Sequence, residues 1–219
     1  MARERKNDLP LMSTEEGIVL FHPHVPRKAK EYVCDTLDGH WIGQGPKVDL
    51  FEERFRTQFA QPGPCVSTGS GTDALHLAYL LAGIKPGDEV LVPLFTCTAT
   101  SMPLLYIGAK PKFVDVAPDT LNISTQDLRR RISERTRAIA CVHYGGLPYD
   151  MDEIRSIAGE YGIPVIEDAA YALGATYAGR PVGALSEFTI YSFQAIKHLK
   201  TGDGGMLTFL QQDLAPLAR

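Results

Sequence analysis

A chain of 219 residues, 44% hydrophobic and 22% charged with a formal net charge of −4, has the composition of an ordinary globular protein with one sizeable core. That balance argues against nucleic-acid binding, because no basic stripe is present and the one compact cationic run, Arg129-Arg130-Arg131, falls in a predicted helix as a solvated face. No apolar run reaches the roughly 18 residues of a membrane span, the charged start lacks a signal-peptide pattern, and Cys34, Cys65, Cys97 and Cys141 form no CxxC pair, so a cytoplasmic chain with reduced thiols and no metal site is expected.

Residues 1–20 read as a charged arm and residues 21–219 as one large domain. After Phe21-His22-Pro23-His24-Val25-Pro26 a helix is expected through residue 37, followed by the turn-rich Trp41-Ile42-Gly43-Gln44-Gly45-Pro46. From about residue 64, β-branched runs alternate with amphipathic stretches. Helices are predicted at 73–81, 125–132 and 151–161, and strands at 89–92, 111–116, 138–143 and 164–167. This order implies an α/β fold with a mainly parallel sheet covered on both faces by helices. Two further strands, 188–193 and 206–209, are joined by a connection too short for a crossover helix, so the sheet is expected to be mixed at that end. The last residues, from 211, read as the opening of another helix or a linker. Ligands of such sheets sit beyond the carboxyl ends of the strands, where Asp168, His143 and the loop after Pro93 would lie.

Three segments carry recognisable chemistry. Ser70-Gly71-Thr72-Asp73 opens a helix whose free amides and positive dipole end suit a phosphate, although Ser, Thr and Asp are also ordinary caps. Asp168 closes the run Ile163-Pro164-Val165-Ile166-Glu167-Asp168, and could hold a pyridine nitrogen protonated or merely cap the next turn. Lys197, among Phe193, Ala195, Ile196 and Leu199, is either an imine-forming amine in a partly apolar site or a solvated loop lysine. An amine, a carboxylate and a phosphate cradle together meet the needs of pyridoxal phosphate (PLP). His143 is weighed evenly between a buried structural role and one beside the ligand.

Trp41-Ile42-Gly43-Gln44-Gly45-Pro46, Ser70-Gly71-Thr72-Asp73-Ala74-Leu75, Lys85-Pro86-Gly87-Asp88-Glu89-Val90, Val165-Ile166-Glu167-Asp168-Ala169-Ala170 and Ser192-Phe193-Gln194-Ala195-Ile196-Lys197, with Gly202-Asp203-Gly204-Gly205, occur in this order. Their combination resembles the DegT/DnrJ/StrS sugar aminotransferases, PLP enzymes of fold type I that transfer an amino group from an amino acid, usually glutamate, to a keto-sugar nucleotide. The resemblance implies the large domain of that fold, a homodimer, and Lys197 as the residue that carries the cofactor as an imine. It further implies Asp168 as the pyridine-nitrogen partner, Ser70, Gly71, Thr72 and Ser192 around the phosphate, and Trp41, Gly43 and His143 toward substrate. Two cofactor positions depart from the family pattern. Cys97 stands where many relatives place an aromatic ring over the cofactor, leaving stacking weaker or to Phe95, and Tyr171 stands where Gln or His is common near the cofactor hydroxyl. The C-terminal small domain of the family is expected to be absent. The same cofactor serves a dehydratase branch with histidine at the lysine position, a reading that Lys197 disfavours. The rival from another class is a truncated, catalytically inactive paralogue that binds PLP or a partner chain only.

Overall fold

The computed structural model describes residues 23–59 and 61–219; the charged arm expected over residues 1–20 lies outside the described residues. Two helices open the described part, α1 (Arg27–Leu37) and α2 (Pro46–Gln58), followed by β1 (Cys65–Thr68), α3 (Gly71–Leu81) and β2 (Glu89–Pro93). Next come a 3-10 turn (Thr98–Thr100), α4 (Met102–Ile107), β3 (Lys110–Val114), α5 (Thr125–Arg131), β4 (Thr136–Val142), α6 (Met151–Tyr161) and β5 (Val165–Asp168). A small hairpin of β6 (Thr176–Tyr177) and β7 (Arg180–Pro181) precedes β8 (Phe188–Ser192) and β9 (Gly205–Phe209).

The seven-stranded sheet runs β1-β9-β8-β5-β4-β2-β3. Neighbouring strands from β3 across to β8 are parallel, and β9 is antiparallel to both β8 and β1. The mixed end predicted from the short connection is therefore present. Successive residues of a strand face opposite sides of a sheet, and the packing follows that rule. Val90, Val92, Ala138, Ala140, Ile166 and Ile190 join Leu75, Ala78 and Leu104 of α3 and α4 in one core cluster. Leu91, Ile139, Cys141 and Val165 instead join Leu128 of α5 and Ile154 and Ile157 of α6. A third cluster packs Phe55 of α2 on Tyr191, Phe193 and Met206. Each fully buried Leu or Ile contributes roughly 1.5–3 kcal/mol by leaving water, so these clusters fix the sheet between two helical layers.

Local chemistry sets the helix ends that matter for the site. Ser70, in an extended conformation, caps α3 by accepting from the Asp73 amide at 3.0 Å. Asp150 caps α6 in the same way, and α6 stops at Gly162, whose φ of 63° is left-handed. Five elements were not predicted: β1, α2, α4 and the two-residue hairpin strands β6 and β7. β1 is four residues with two hydroxyl side chains, and α4 is six residues, each too short for a periodic signal. α2 carries Phe51, Phe55 and, just past its end, Phe59 at helical spacing within a charged segment, with Pro46 in its first turn. The chain after residue 211 forms a 3-10 turn (Gln212–Leu214), and Ala218 is buried in the α3 cluster. No helix among the described residues is long and apolar enough to cross a membrane.

Candidate active site

Asp168 ends β5 two residues after Ile166, so the period of the strand turns it toward the α3 face. It is 5% exposed. Its Oδ2 accepts from Thr100 Oγ1 at 3.0 Å and its Oδ1 accepts from the Ala170 amide at 3.1 Å. Thr100 is itself tied down: its hydroxyl lies 2.9 Å from Thr96 Oγ1, and its carbonyl accepts from the Tyr79 hydroxyl at 2.8 Å. Burial pushes the Asp168 carboxyl above its ordinary range, while the Ala170 amide, the Thr100 hydroxyl and the charges of Lys197 and His143 act in the opposite direction. A carboxylate so deprived of water gains most from a cationic N–H partner.

Lys197 is delivered by the loop between β8 and β9. That loop closes on itself through Phe193 N to Gly204 O at 2.8 Å and Thr201 N to Phe193 O at 2.9 Å. Within it, Lys197 N donates to Gln194 O at 2.8 Å and Ile196 N to Gln194 Oε1 at 3.0 Å. The half-buried Lys197 places Nζ 3.4 Å from the centroid of the Tyr171 ring.

The start of α3 meets the same strands. A Cβ added at Gly71 would lie 2.9 Å from Ser192 Cβ, and one at Gly205 would collide with Ser70 O. Only glycine lets the helix start, the end of β8 and the start of β9 approach this closely. Ser70, Gly71, Thr72 and Ser192 are therefore brought together at a helix N-terminus, an arrangement suited to a phosphate.

Other expected residues fall differently. His143 is 0% exposed, pairs through Nε2 with Glu167 Oε2 at 3.0 Å, and stacks on the Tyr149 ring at 4.5 Å. Direct contact with substrate does not fit a side chain sealed in this way; of the two readings, the buried one matches its surroundings. Glu167 and Asp168 are neighbours on one strand, so the His143–Glu167 pair lies on the sheet face opposite Asp168. Cys97 is an exposed free thiol before the 3-10 turn. Phe95, the alternative stacking ring, instead tilts against Tyr144 with centroids 4.8 Å apart. Trp41, 62% exposed, donates through Nε1 to Gln44 O. With Gly43 it borders a cavity of about 590 Å³ shared with Thr68, Gly69, Phe193 and Asp203. That cavity reaches Gly69, just before the start of α3, but is not lined by Asp168 or Lys197. Thr100 is the site residue that sequence reasoning missed; its only signal is a position in the loop after a strand, shared with Thr96 and Thr98.

The model of the DegT/DnrJ/EryC1/StrS aminotransferase family matches residues 24–219. The spore coat polysaccharide biosynthesis protein SpsC of Bacillus subtilis is 40% identical over 197 residues, covering 90% of this chain and 50% of that protein. GDP-perosamine synthase of Escherichia coli O157:H7 is 41% identical over 192 residues, 87% of this chain and 52% of that protein. The solved PLP form of Spr1654 from Streptococcus pneumoniae superposes with a TM-score of 0.85 at 32% identity, over 89% of this chain and 53% of that one. The chain spans about half the length of the curated relatives it matches.

Proposed function

The chain belongs to the DegT/DnrJ/EryC1/StrS aminotransferase family, and from that premise we propose that it supplies the PLP-binding large domain of an aminotransferase that moves an amino group from an amino acid, glutamate by preference, to a keto-sugar nucleotide. The observation that carries this reading is the Asp168 carboxyl, buried and hydrogen-bonded to Thr100 and Ala170, with the Lys197 charge opposing the upward push of burial. A buried carboxyl, a half-buried amine and a glycine-lined helix start fit PLP in charge and in kind. The relatives named for spore coat polysaccharide and GDP-perosamine synthesis support the sugar-nucleotide class. A cytoplasmic homodimer is part of the proposal.

When bound, PLP supplies an aldehyde that condenses with amines and a ring that delocalises the charge left at a deprotonated carbon. The chain's residues have four tasks. The amides at Gly71 and Thr72 and the Ser192 hydroxyl hold the phosphate, without a cation. Asp168 keeps the pyridine nitrogen protonated, and Thr100 holds the carboxylate in place. Lys197 Nζ would hold the aldehyde carbon and, once an amino acid displaces it, would carry the proton from the substrate Cα to the cofactor carbon. Trp41 and Gly43 border the approach of the sugar nucleotide from the adjoining cavity. The test is borohydride reduction of the PLP-loaded protein followed by peptide mapping. A pyridoxyl group on Lys197 alone is expected; a label on another residue, or none, removes the proposal.

A further inference from the structure

Lys197 and Tyr171 are held from different strands. Tyr171 follows β5 in a turn closed by Ala172 N to Ala169 O at 2.9 Å, and Gly146 packs against its backbone. At Gly146, with φ 87°, a Cβ would stand 2.7 Å from Tyr171 O, so the close approach that sets this turn requires glycine twice over. Lys197 is set by the Gln194 bonds of the β8–β9 loop and by the bridge between Gln194 and Gly202. Two separately anchored backbones thus bring an ammonium to 3.4 Å from the centre of an aromatic face. At that distance the ring quadrupole attracts the cation directly, and more strongly where water is partly excluded. Backbone anchoring also lowers the entropy lost in keeping a long, rotamer-rich side chain in one place.

We propose that Tyr171 is a positioning residue: its ring face receives Lys197 when that amine is protonated and not joined to an aldehyde, and so keeps it at the site between chemical steps. The proposal rests on the reading of Lys197 as the imine-forming lysine. A freed lysine would otherwise sample many rotamers, and each return to the reacting carbon would carry that entropy cost. The contact is to the ring centre, so Phe at position 171 retains the platform and Gln removes it.

The experiment uses the apo chain with lysine labelled by ¹³C at Cε. The Lys197 resonance is assigned by its loss in Lys197→Arg. In the wild type and in Tyr171→Phe, the ε-methylene protons should resonate upfield of the other lysines, shifted by the ring current. In Tyr171→Gln they should rejoin the lysine pool. Reductive methylation of Lys197 by formaldehyde and cyanoborohydride provides a second readout. Its rate should rise roughly two- to fivefold in Tyr171→Gln, the change expected from losing an exposed cation–π contact, and stay near wild type in Tyr171→Phe. A wild-type Lys197 signal inside the pool overturns the proposal, as does equal methylation of wild type and Tyr171→Gln. Should Tyr171→Gln fail to fold, the wild-type and Tyr171→Phe spectra still decide. PLP labelling of Lys197 in the wild type is run alongside. If it fails, the functional reading fails; if it succeeds without the upfield signal, only the role of Tyr171 is lost.

Discussion

Replacing Asp168 by Asn changes charge while keeping shape, and the structure sets what should follow in each state of the protein. The side-chain oxygen can still accept from the Ala170 amide now at 3.1 Å, and the new NH₂ can donate to Thr100 Oγ1, which also has Thr96 Oγ1 at 2.9 Å. Packing is thus preserved. In the apo chain, the folded pKa of Asp168 is raised by burial, so the folded state holds its proton more tightly than the unfolded chain does. Stability from this group is therefore greatest below the unfolded value, roughly 3.9, and is lost as pH rises through the folded one. Asn removes that loss, and apo Asp168→Asn should melt no lower than wild type at pH 7. The cofactor-loaded state should respond in the opposite sense. Loss of a charge aimed at a site of developing charge costs about 10²–10³-fold in rate, and an amide oxygen cannot hold the pyridine nitrogen protonated as a carboxylate does. The assay is the single-turnover reaction of the PLP-loaded protein with glutamate, followed by the cofactor spectrum at saturating PLP. A rate within threefold of wild type would show that Asp168 is only a cap for the Ala170 turn, and a lowered apo melting temperature would show that its charge is already compensated inside the protein.

Other variants test the remaining parts. Lys197→Ala should abolish borohydride-fixed labelling and lower the melting temperature by no more than a few degrees, because it removes one exposed-type cation–π contact and no core packing; circular dichroism and mass spectrometry report both. Gly71→Ala places a Cβ 2.9 Å from Ser192 Cβ and should weaken PLP binding about tenfold by forcing the helix start away from β8, as measured by fluorescence titration; unchanged affinity would place the phosphate elsewhere. The Ser133 hydroxyl and Lys112 ammonium, with Arg135, hold the Glu89 carboxyl down at about 2. Its contribution is therefore full above the unfolded glutamate value and is lost as pH falls from about 4.5 toward 2. Glu89→Gln should flatten the acid limb of the melting curve between those values, and an unaltered limb would assign the acid sensitivity to other carboxylates.

Local periodicity made the element order legible. Alternating β-branched runs and 3.6-spaced apolar residues identified the main parallel strands and the α3, α5 and α6 helices, and the short link from β8 to β9 announced the antiparallel end. Ser70 was readable as a helix start and Asp168 as a strand end because caps and strand termini are written in a few adjacent residues. The tertiary structure decided what no local window contains. A strand's alternation says that Glu167 and Asp168 face opposite sides but not which side holds α3, so the burial of His143 against Glu167 emerged only from the layers. Thr100 reaches Asp168 across 68 positions of sequence, and Gly71 meets Ser192 only because β1, β9 and β8 are neighbours. The meeting of Lys197 with Tyr171 has the same origin: the loops that follow β5 and β8 converge because these strands are neighbours in the middle of a sheet whose strand order differs from chain order. Short-range sterics and periodicity act within a few residues and are visible in the sequence, whereas the contacts that give the site its charge balance are set by the crossovers that bring distant strands side by side.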